Sequence, residues 1–241
     1  MKTVCITLLL LVSLIAVSCN SNDSVTPLSQ EELLLQQFRA SIIDASKPLT
    51  KSGIDTNLTP IIKSNTELKW DSDSHVLLVT WTNTSYFDNK VDSTIITASD
   101  MWVTAVPVAK VLMGHFVNET TDPELRMKQV LGMWPDKPRS RFVEVWSDTN
   151  NIFRPCPDPE IWDCQCDTVY KPNVSNEHKQ WFENEILNKY GADGYPWTRQ
   201  GYTYDWGGRT KFGVSEFVIK KNSPVKIKSV TSPSTFYTMY K

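Results

Sequence analysis

Aromatic residues alternate with isolated charges in segment 195–208, the part of the chain whose residue types best suit a binding site or chemistry. In an extended chain, Tyr202, Tyr204 and Trp206 share one side, and Trp197 belongs to the same kind of pattern just before them. Aromatic faces placed this way suit stacking on a sugar ring or a peptide. The same alternation is also typical of the core face of a buried strand, so both interpretations stay open here.

Three charged residues, Arg199, Asp205 and Glu216, stand within these apolar runs. Charged side chains are rarely buried without partners. We therefore predict that Arg199 is largely buried and held by a carboxylate, with Asp205 or Glu216 as the first candidates. Its guanidinium group could also lie over the ring of Trp197 as a cation–π pair.

A second dense segment, 152–167, contains three cysteines and three prolines. Proline is excluded from regular helices and central strands, so this segment predicts a rigid loop. Cysteines of exported proteins tend to form disulfides. We favour a bond between Cys156 and Cys164, with Cys166 free or exchanging into the bond, and the sequence does not settle the choice. A zinc site completed by His178 is the alternative, although the usual C-x₂-C spacing is lacking.

Two carboxylates of this loop, Asp158 and Glu160, allow either an acid–base pair or a structural role. We favour the structural role, in which they cap a helix or bind an arginine such as Arg154. The chain contains no G-x-S-x-G, H-E-x-x-H, P-loop or dinucleotide-binding glycine motif. We therefore predict no cofactor and no metal.

The N-terminus has the pattern of a secretory signal peptide. Lys2 precedes an apolar run over 4–17, which is shorter than the roughly 20 residues of a membrane span. The sequence AVSC at 16–19 resembles the bacterial lipobox, with Ala16 where leucine is more usual. This resemblance implies cleavage before Cys19 and acylation of Cys19, for example by palmitate. A signal peptide cut at another site is the alternative.

The expected location is therefore the bacterial cell envelope, with the protein anchored to a membrane by lipid. The mature chain would have 241 − 18 = 223 residues, which suits one domain. A net charge of −2 gives no electrostatic case for nucleic acid as a partner. The predicted organisation is a signal peptide at 1–18, a lipidated tether at 19–28 and a single domain at 29–241.

Strand-like and helix-like segments mix without a strict β–α–β order, which predicts an α+β domain. We expect a mainly antiparallel or mixed sheet with several packed helices. The predicted helices are 29–46, 108–116, one beginning at 122 and 176–190; the predicted strands are 75–81, 93–97, 101–106, 141–146, 214–219, 225–230 and 236–240. The strands 214–219 and 225–230 are expected to form a hairpin.

Four short motifs together resemble a family of uncharacterised bacterial secreted proteins and lipoproteins. They are MWVTAVP at 101–107, FRPCPDPE at 153–160, PWTR at 196–199 with GYTYDW at 201–206, and SEFV at 215–218. The resemblance covers roughly the second half of the chain. It implies no established activity and so assigns no role to any residue.

The predicted closing hairpin is also similar to the catalytic-glutamate strand and hairpin of ADP-ribosyltransferases. In that resemblance Glu216 would orient the nicotinamide ribose, and Arg141 could provide the upstream arginine. The Ser-Thr-Ser strand of that family is missing from this sequence. A strand, a turn and a strand with one glutamate form a common arrangement, so the likeness has little specificity.

Two hypotheses about function follow. The first is a non-catalytic envelope lipoprotein that binds a partner protein or a glycan, through Arg199, Asp205, Glu216 and the aromatic residues Trp197, Tyr202, Tyr204 and Trp206. The second is an envelope enzyme that uses the same three charged residues, together with Arg154 and Glu160. A cleft in which Arg199, Asp205 and Glu216 converge would favour the enzyme, and pairing of these charges inside the packing would argue against it.

Overall fold

The computed structural model describes residues 27–239. The predicted signal peptide, the lipidation site Cys19 and most of the tether lie outside the described residues, as do the last two residues. In the described part, one seven-stranded sheet, one two-stranded sheet and five α-helices form an α+β fold, as the sequence predicted. No helix between residues 27 and 239 is both long enough and apolar enough to cross a membrane.

The strands of the large sheet are β1 (His75–Thr82), β2 (Thr94–Ile96), β3 (Met101–Ala105), β4 (Arg141–Asp148), β5 (Ile152–Phe153), β8 (Phe217–Ile219) and β9 (Pro224–Thr231). They are antiparallel throughout, in the order β2-β9-β4-β1-β3-β8-β5. The small sheet pairs β6 (Tyr202–Tyr204) with β7 (Phe212–Ser215). The aromatic segment thus contributes one short strand.

Alternating apolar residues bury both faces of the central strands. In β1, Val76 and Leu78 belong to one core cluster, whereas Leu77 and Val79 belong to the other. Successive side chains of a strand point to opposite faces, so a nearly continuous apolar run is what a strand covered on both sides requires. The two clusters place the sheet in the middle of the domain.

Four of the five helices match helices predicted from the sequence, although α2 extends beyond its predicted bounds at both ends. They are α1 (Gln30–Ser46), α2 (Val106–Glu119), α3 (Pro123–Val130), α4 (Asn176–Lys189) and α5 (Pro233–Thr238). Ser29 and Glu32 form a capping box at α1, and the side chain of Asp122 accepts a hydrogen bond from the Leu125 backbone at the start of α3. Residues of α2, α3 and α5 cover one face of the sheet.

The predicted closing hairpin is wrong. β8 pairs with β3 and β5, whereas β9 pairs with β4 and β2, so the two strands lie far apart in the sheet. The apolar run 214–219 is also interrupted at Glu216, which lies between β7 and β8. Hydrophobic pattern finds strands but does not choose their neighbours, because pairing is decided by the tertiary fold.

The predicted strand 93–97 forms β2, which pairs with β9 at the edge of the sheet. The predicted strand 236–240 is helical as far as Thr238, because Ser232 caps α5 and Pro233 occupies a first-turn position. Position 240 lies outside the described residues.

In the cysteine segment, the disulfide joins Cys156 to Cys166, and Cys164 is free and exposed. The favoured pair of Cys156 with Cys164 is therefore wrong, and the second candidate, Cys166, is the partner. His178 does not complete a zinc site with the cysteines, because its Nε2 lies 2.7 Å from the backbone oxygen of Cys156. Burial of the imidazole lowers the pKa of His178.

Both carboxylates of the loop have the favoured structural role, but with a different partner. Asp158 and Glu160 both bind the ammonium group of Lys171. Arg154 instead pairs with Asp163, at 2.7 Å between Nη1 and Oδ1. Burial raises the pKa of Asp158 and the contact with Lys171 opposes this.

The disulfide predicts unequal effects of the three cysteines on stability. Replacing Cys166 with serine should cost about 2–3 kcal/mol in the free energy of unfolding, because the bond closes a short loop. Cys164→Ser, the matched control, should leave stability unchanged because its thiol is free. Denaturant unfolding of both variants, with peptide mapping under non-reducing conditions, checks this. A mapped bond between Cys156 and Cys164 would contradict it.

Candidate functional site

A cavity of about 600 Å³ opens beside β1 and β3. Seven aromatic residues contribute to its wall: Trp81, Tyr86, Phe87, Trp102, Tyr195, Trp197 and Tyr204. Trp81 and Trp197 are buried, and the ring of Trp102 meets that of Trp197 edge to face at 5.9 Å between centroids. Tyr86 and Ile96 also line the cavity and are exposed, so its apolar wall continues to the protein surface and has room for a ligand larger than one ring.

Glu216 provides the unpaired carboxyl group of the cavity wall. Its backbone N–H donates to the oxygen of Gly201 at 2.9 Å, which fixes the residue at the break between β7 and β8. Its side chain forms no hydrogen bond or ion pair with any residue in 27–239. Burial raises the pKa of Glu216 to about 8, and the charge of Lys189 acts in the opposite direction. The carboxyl group is therefore mostly protonated at neutral pH.

The other carboxylate of the cavity wall, Asp100, has both oxygens occupied. Its Oδ2 accepts from the indole N–H of Trp181 at 2.6 Å, and its Oδ1 accepts from the backbone of Lys221 at 2.7 Å. These bonds attach Asp100 to helix α4 and to the turn that follows β8. Asp100 thus has a structural role, and Glu216 is the carboxyl group that a ligand can use.

Two basic side chains also line the cavity. Lys189, at the end of α4, pairs with Glu185 at 3.1 Å and lies 4.4 Å from the ring centroid of Trp102. Arg139 donates from Nη2 to the hydroxyl of Tyr195 at 3.3 Å. The cavity therefore combines aromatic rings, on which a ligand can stack, with acidic and basic hydrogen-bonding groups.

Of the predicted binding residues, Trp197, Tyr204 and Glu216 line the cavity. Tyr202 and Trp206 belong to the packing instead. The hydroxyl of Tyr202 donates to the oxygen of Gly53 at 2.8 Å, and the Trp206 ring packs edge to face on Phe38 in a separate core cluster. The core interpretation of the aromatic segment therefore holds for Tyr202 and Trp206, and the binding interpretation stays a prediction for Trp197 and Tyr204.

Arg199 is buried, as predicted, but no carboxylate holds it. Its Nη2 donates to the backbone oxygens of Ala45, at 2.7 Å, and of Lys47. These carbonyl groups belong to the end of α1 and the residue after it, where the helix dipole favours a positive charge. The guanidinium lies over Tyr190, 5.3 Å from the ring centroid, and not over Trp197. The predicted pairing of Arg199 with Asp205 or Glu216 is therefore wrong.

Asp205 forms a bidentate pair with Arg126 of α3, with N–O distances of 2.6 and 2.5 Å. This pair ties the small sheet to the helix layer. Arg199, Asp205 and Glu216 therefore do not converge on one cleft, and the arrangement assumed for the enzyme hypothesis is absent from the described chain. Arg154 and Glu160 are likewise committed to the cysteine loop.

The likeness to ADP-ribosyltransferases loses its structural basis. The hairpin that carried the likeness does not form, because β8 and β9 are not neighbours. Arg141, the candidate for the upstream arginine, pairs with Asp88 through two hydrogen bonds. No residue role is transferred from that family.

Most residues of the cavity wall were not predicted from the sequence, among them Trp81, Trp102, Arg139 and Lys189. Trp102 carried a usable signal, since alternation in β3 places it on the face opposite Val103. Arg139 and Lys189 looked like ordinary surface charges near a strand start and a helix end. Only the tertiary fold brings them to the same cavity as Glu216.

Comparisons of the chain with protein-family models, with curated proteins and with solved structures find no match in any of the three. They neither support nor oppose the resemblance to the bacterial lipoprotein family, which stays a prediction. The function must therefore be argued from the geometry of the chain itself.

The unpaired carboxyl group predicts a pH-dependent stability. Because the pKa of Glu216 is raised in the folded state to about 8, folding loses stability as the pH rises from about 4.5 to 8. Glu216→Gln removes this loss and should raise the free energy of unfolding by on the order of 2–3 kcal/mol at pH 7. The gain should vanish below pH 4, where the carboxyl group is protonated in both the folded and the unfolded state.

Denaturant unfolding at several pH values measures this effect. The matched control is Glu183→Gln, which makes the same change on an exposed residue of the neighbouring helix α4. The control should show little effect at any pH. A Glu216→Gln variant whose stability follows that of the native chain from pH 4 to 8 would show that Glu216 is ionised or paired.

Proposed function

We propose that this chain is a non-catalytic binding domain of an exported, lipid-anchored envelope protein, and that its cavity binds carbohydrate. The observation that carries the proposal is the unpaired carboxyl group of Glu216 in a cavity walled by tryptophan and tyrosine rings. Apolar ring faces stack on the C–H faces of sugars, and a few polar groups orient the hydroxyls.

Size and polarity agree with a short oligosaccharide. The cavity volume of about 600 Å³ lies within the usual range for small-molecule sites. Hydroxyl groups of Thr80, Thr82 and Ser99 add polar contacts along the wall. A protonated Glu216 both donates and accepts hydrogen bonds, which suits a sugar hydroxyl.

The carboxylates of the cavity favour binding over hydrolysis. Most glycoside hydrolases need two carboxyl groups that flank the scissile bond. Here Asp100 is committed to Trp181 and Lys221, which leaves Glu216 alone. The raised pKa of Glu216 is nevertheless what a general acid would have, so cleavage of a bound glycan is the result that would replace this proposal with an enzyme.

Two features support export to the envelope. The N-terminal sequence has a signal-peptide pattern that ends in Cys19. The disulfide between Cys156 and Cys166 suits an oxidising compartment, since such bonds are rare in the cytosol.

Lipid anchoring predicts that the full-length chain, expressed in a bacterium, partitions into detergent and that its mature N-terminus carries acyl groups on Cys19. Cys19→Ala should abolish both results, whereas Cys164→Ser, the matched control, should change neither. Detergent partitioning and mass spectrometry measure them. A Cys19→Ala protein that still partitions with the membrane fraction would contradict the anchor.

Carbohydrate binding is tested with the folded domain and a panel of oligosaccharides, by calorimetry and by ligand-dependent melting. We expect at least one member to bind and its affinity to fall about tenfold or more in Trp102→Ala, because a stacking surface is lost. Trp162→Ala, which removes an exposed tryptophan of the cysteine loop, is the matched control and should bind normally.

The same experiment can overturn the proposal. If no oligosaccharide binds, or if Trp102→Ala and Trp162→Ala bind equally well, the cavity is not a carbohydrate site. Release of shorter sugars from a bound oligosaccharide, lost in Glu216→Gln, would make the protein a glycosidase.

A further inference from the structure

Arg139 is the one arginine of the cavity wall, and it lacks a carboxylate partner among the residues that the structure describes. Its single hydrogen bond goes to the hydroxyl of Tyr195, at 3.3 Å from Nη2. Its Nε is buried without a hydrogen-bond partner. A guanidinium group carries five N–H donors and stays charged at all physiological pH values, so most of its capacity is unused.

The other buried or half-buried arginines of the described chain have partners for their terminal nitrogens, although Nε of Arg154 and Nε of Arg199 are also buried without a hydrogen-bond partner. Arg126 pairs with Asp205, Arg141 with Asp88, and Arg154 with Asp163. Arg199 is held by two carbonyl groups. Arg139 therefore differs from them because it lines the cavity and most of the N–H donors of its guanidinium group are available to a ligand.

We propose that the carbohydrate bound in this cavity carries a carboxylate, as a uronic acid does, and that Arg139 binds this carboxylate. This inference rests on the proposed function. Guanidinium and carboxylate groups match in plane and spacing, so Arg139 can form two parallel hydrogen bonds to the ligand. The sugar ring then lies against the tryptophan and tyrosine walls, and Glu216 bonds a hydroxyl group.

The other charged and titratable groups of the cavity permit an anionic ligand. Lys189 of α4 adds a second positive charge, and Asp100 is shielded by its two hydrogen bonds. The tyrosines beside Glu216 stay neutral, because burial raises the pKa of both Tyr190 and Tyr204. Tyr86 and Tyr195 contribute hydroxyl groups to the wall or rim.

Glu216 makes the binding depend on pH in a defined direction. Below pH 8 its carboxyl group is mostly protonated and does not repel a ligand carboxylate. Above pH 8 it ionises, and like charges in one cavity repel. Affinity for an acidic sugar should therefore fall as the pH rises from 6.5 to 9, whereas affinity for a cationic ligand would rise.

The test uses a panel in which each oligouronide is paired with its methyl ester, which keeps the ring and removes the charge. Calorimetry with the folded domain at pH 6.5 should show at least one acid that binds tenfold or more tightly than its ester. In Arg139→Met this ratio should fall to about one. Arg209→Met, which removes the same charge from an exposed position, should keep the ratio of the native chain.

Two further variants separate binding from folding. Arg139→Lys keeps the charge without the planar fork and should retain only part of the preference for the acid, and it serves if Arg139→Met fails to fold. Glu216→Gln should abolish the loss of affinity between pH 6.5 and 9.

The outcomes distinguish this inference from the proposed function. Esters or neutral sugars that bind as tightly as the acids, or an unchanged preference in Arg139→Met and Arg139→Lys, would overturn the acidic-sugar inference and leave a neutral-glycan site standing. Failure of every acid and every ester to bind, together with the neutral panel, would overturn the proposed function itself.

Discussion

The hydrogen bonds of the buried Arg154 guanidinium group determine how the segment that positions the site can pack. The guanidinium group is fully buried and donates to the carboxylate of Asp163 and to backbone oxygens of Thr59, Asp163 and Gln165. A buried arginine needs this many acceptors, because an unpartnered charge is very costly in the interior. These bonds join the disulfide loop to Thr59, which is distant in the sequence. The space beside the aliphatic part of the Arg154 side chain is too small for another side chain.

That constraint explains Gly201 and, through it, the position of Glu216. Gly201 has a φ of +77°, and a Cβ atom there would lie 2.6 Å from Cδ of Arg154. Glycine alone meets both the left-handed conformation and the close approach. The carbonyl group of Gly201 then binds the Glu216 backbone and holds it between β7 and β8. The carboxyl group is therefore placed at the cavity by contacts in which its own side chain takes no part.

The sequence predicted elements better than their assembly. Capping at Ser29 and Asp122 and the apolar runs of β1 and β4 are local, so the α+β class and most element limits were accessible. Strand neighbours, the disulfide partner of Cys156 and the acceptors of Arg199 are long-range choices that composition cannot make. Glu216 was found because a charge in an apolar run is unusual, whereas Arg139 and Lys189 carried no such signal.

The proposed site depends on an unpaired carboxyl group of Glu216 in the cavity wall. Carbon-13 NMR of the glutamate side-chain carboxyls, titrated with pH and assigned with Glu216→Gln, tests it most directly. We expect a pKa of about 8 for Glu216 in the free protein, and a further rise when an acidic sugar is bound. A value near the ordinary 4.5 would show an ionised or solvated carboxylate and would contradict an unpaired, buried carboxyl group.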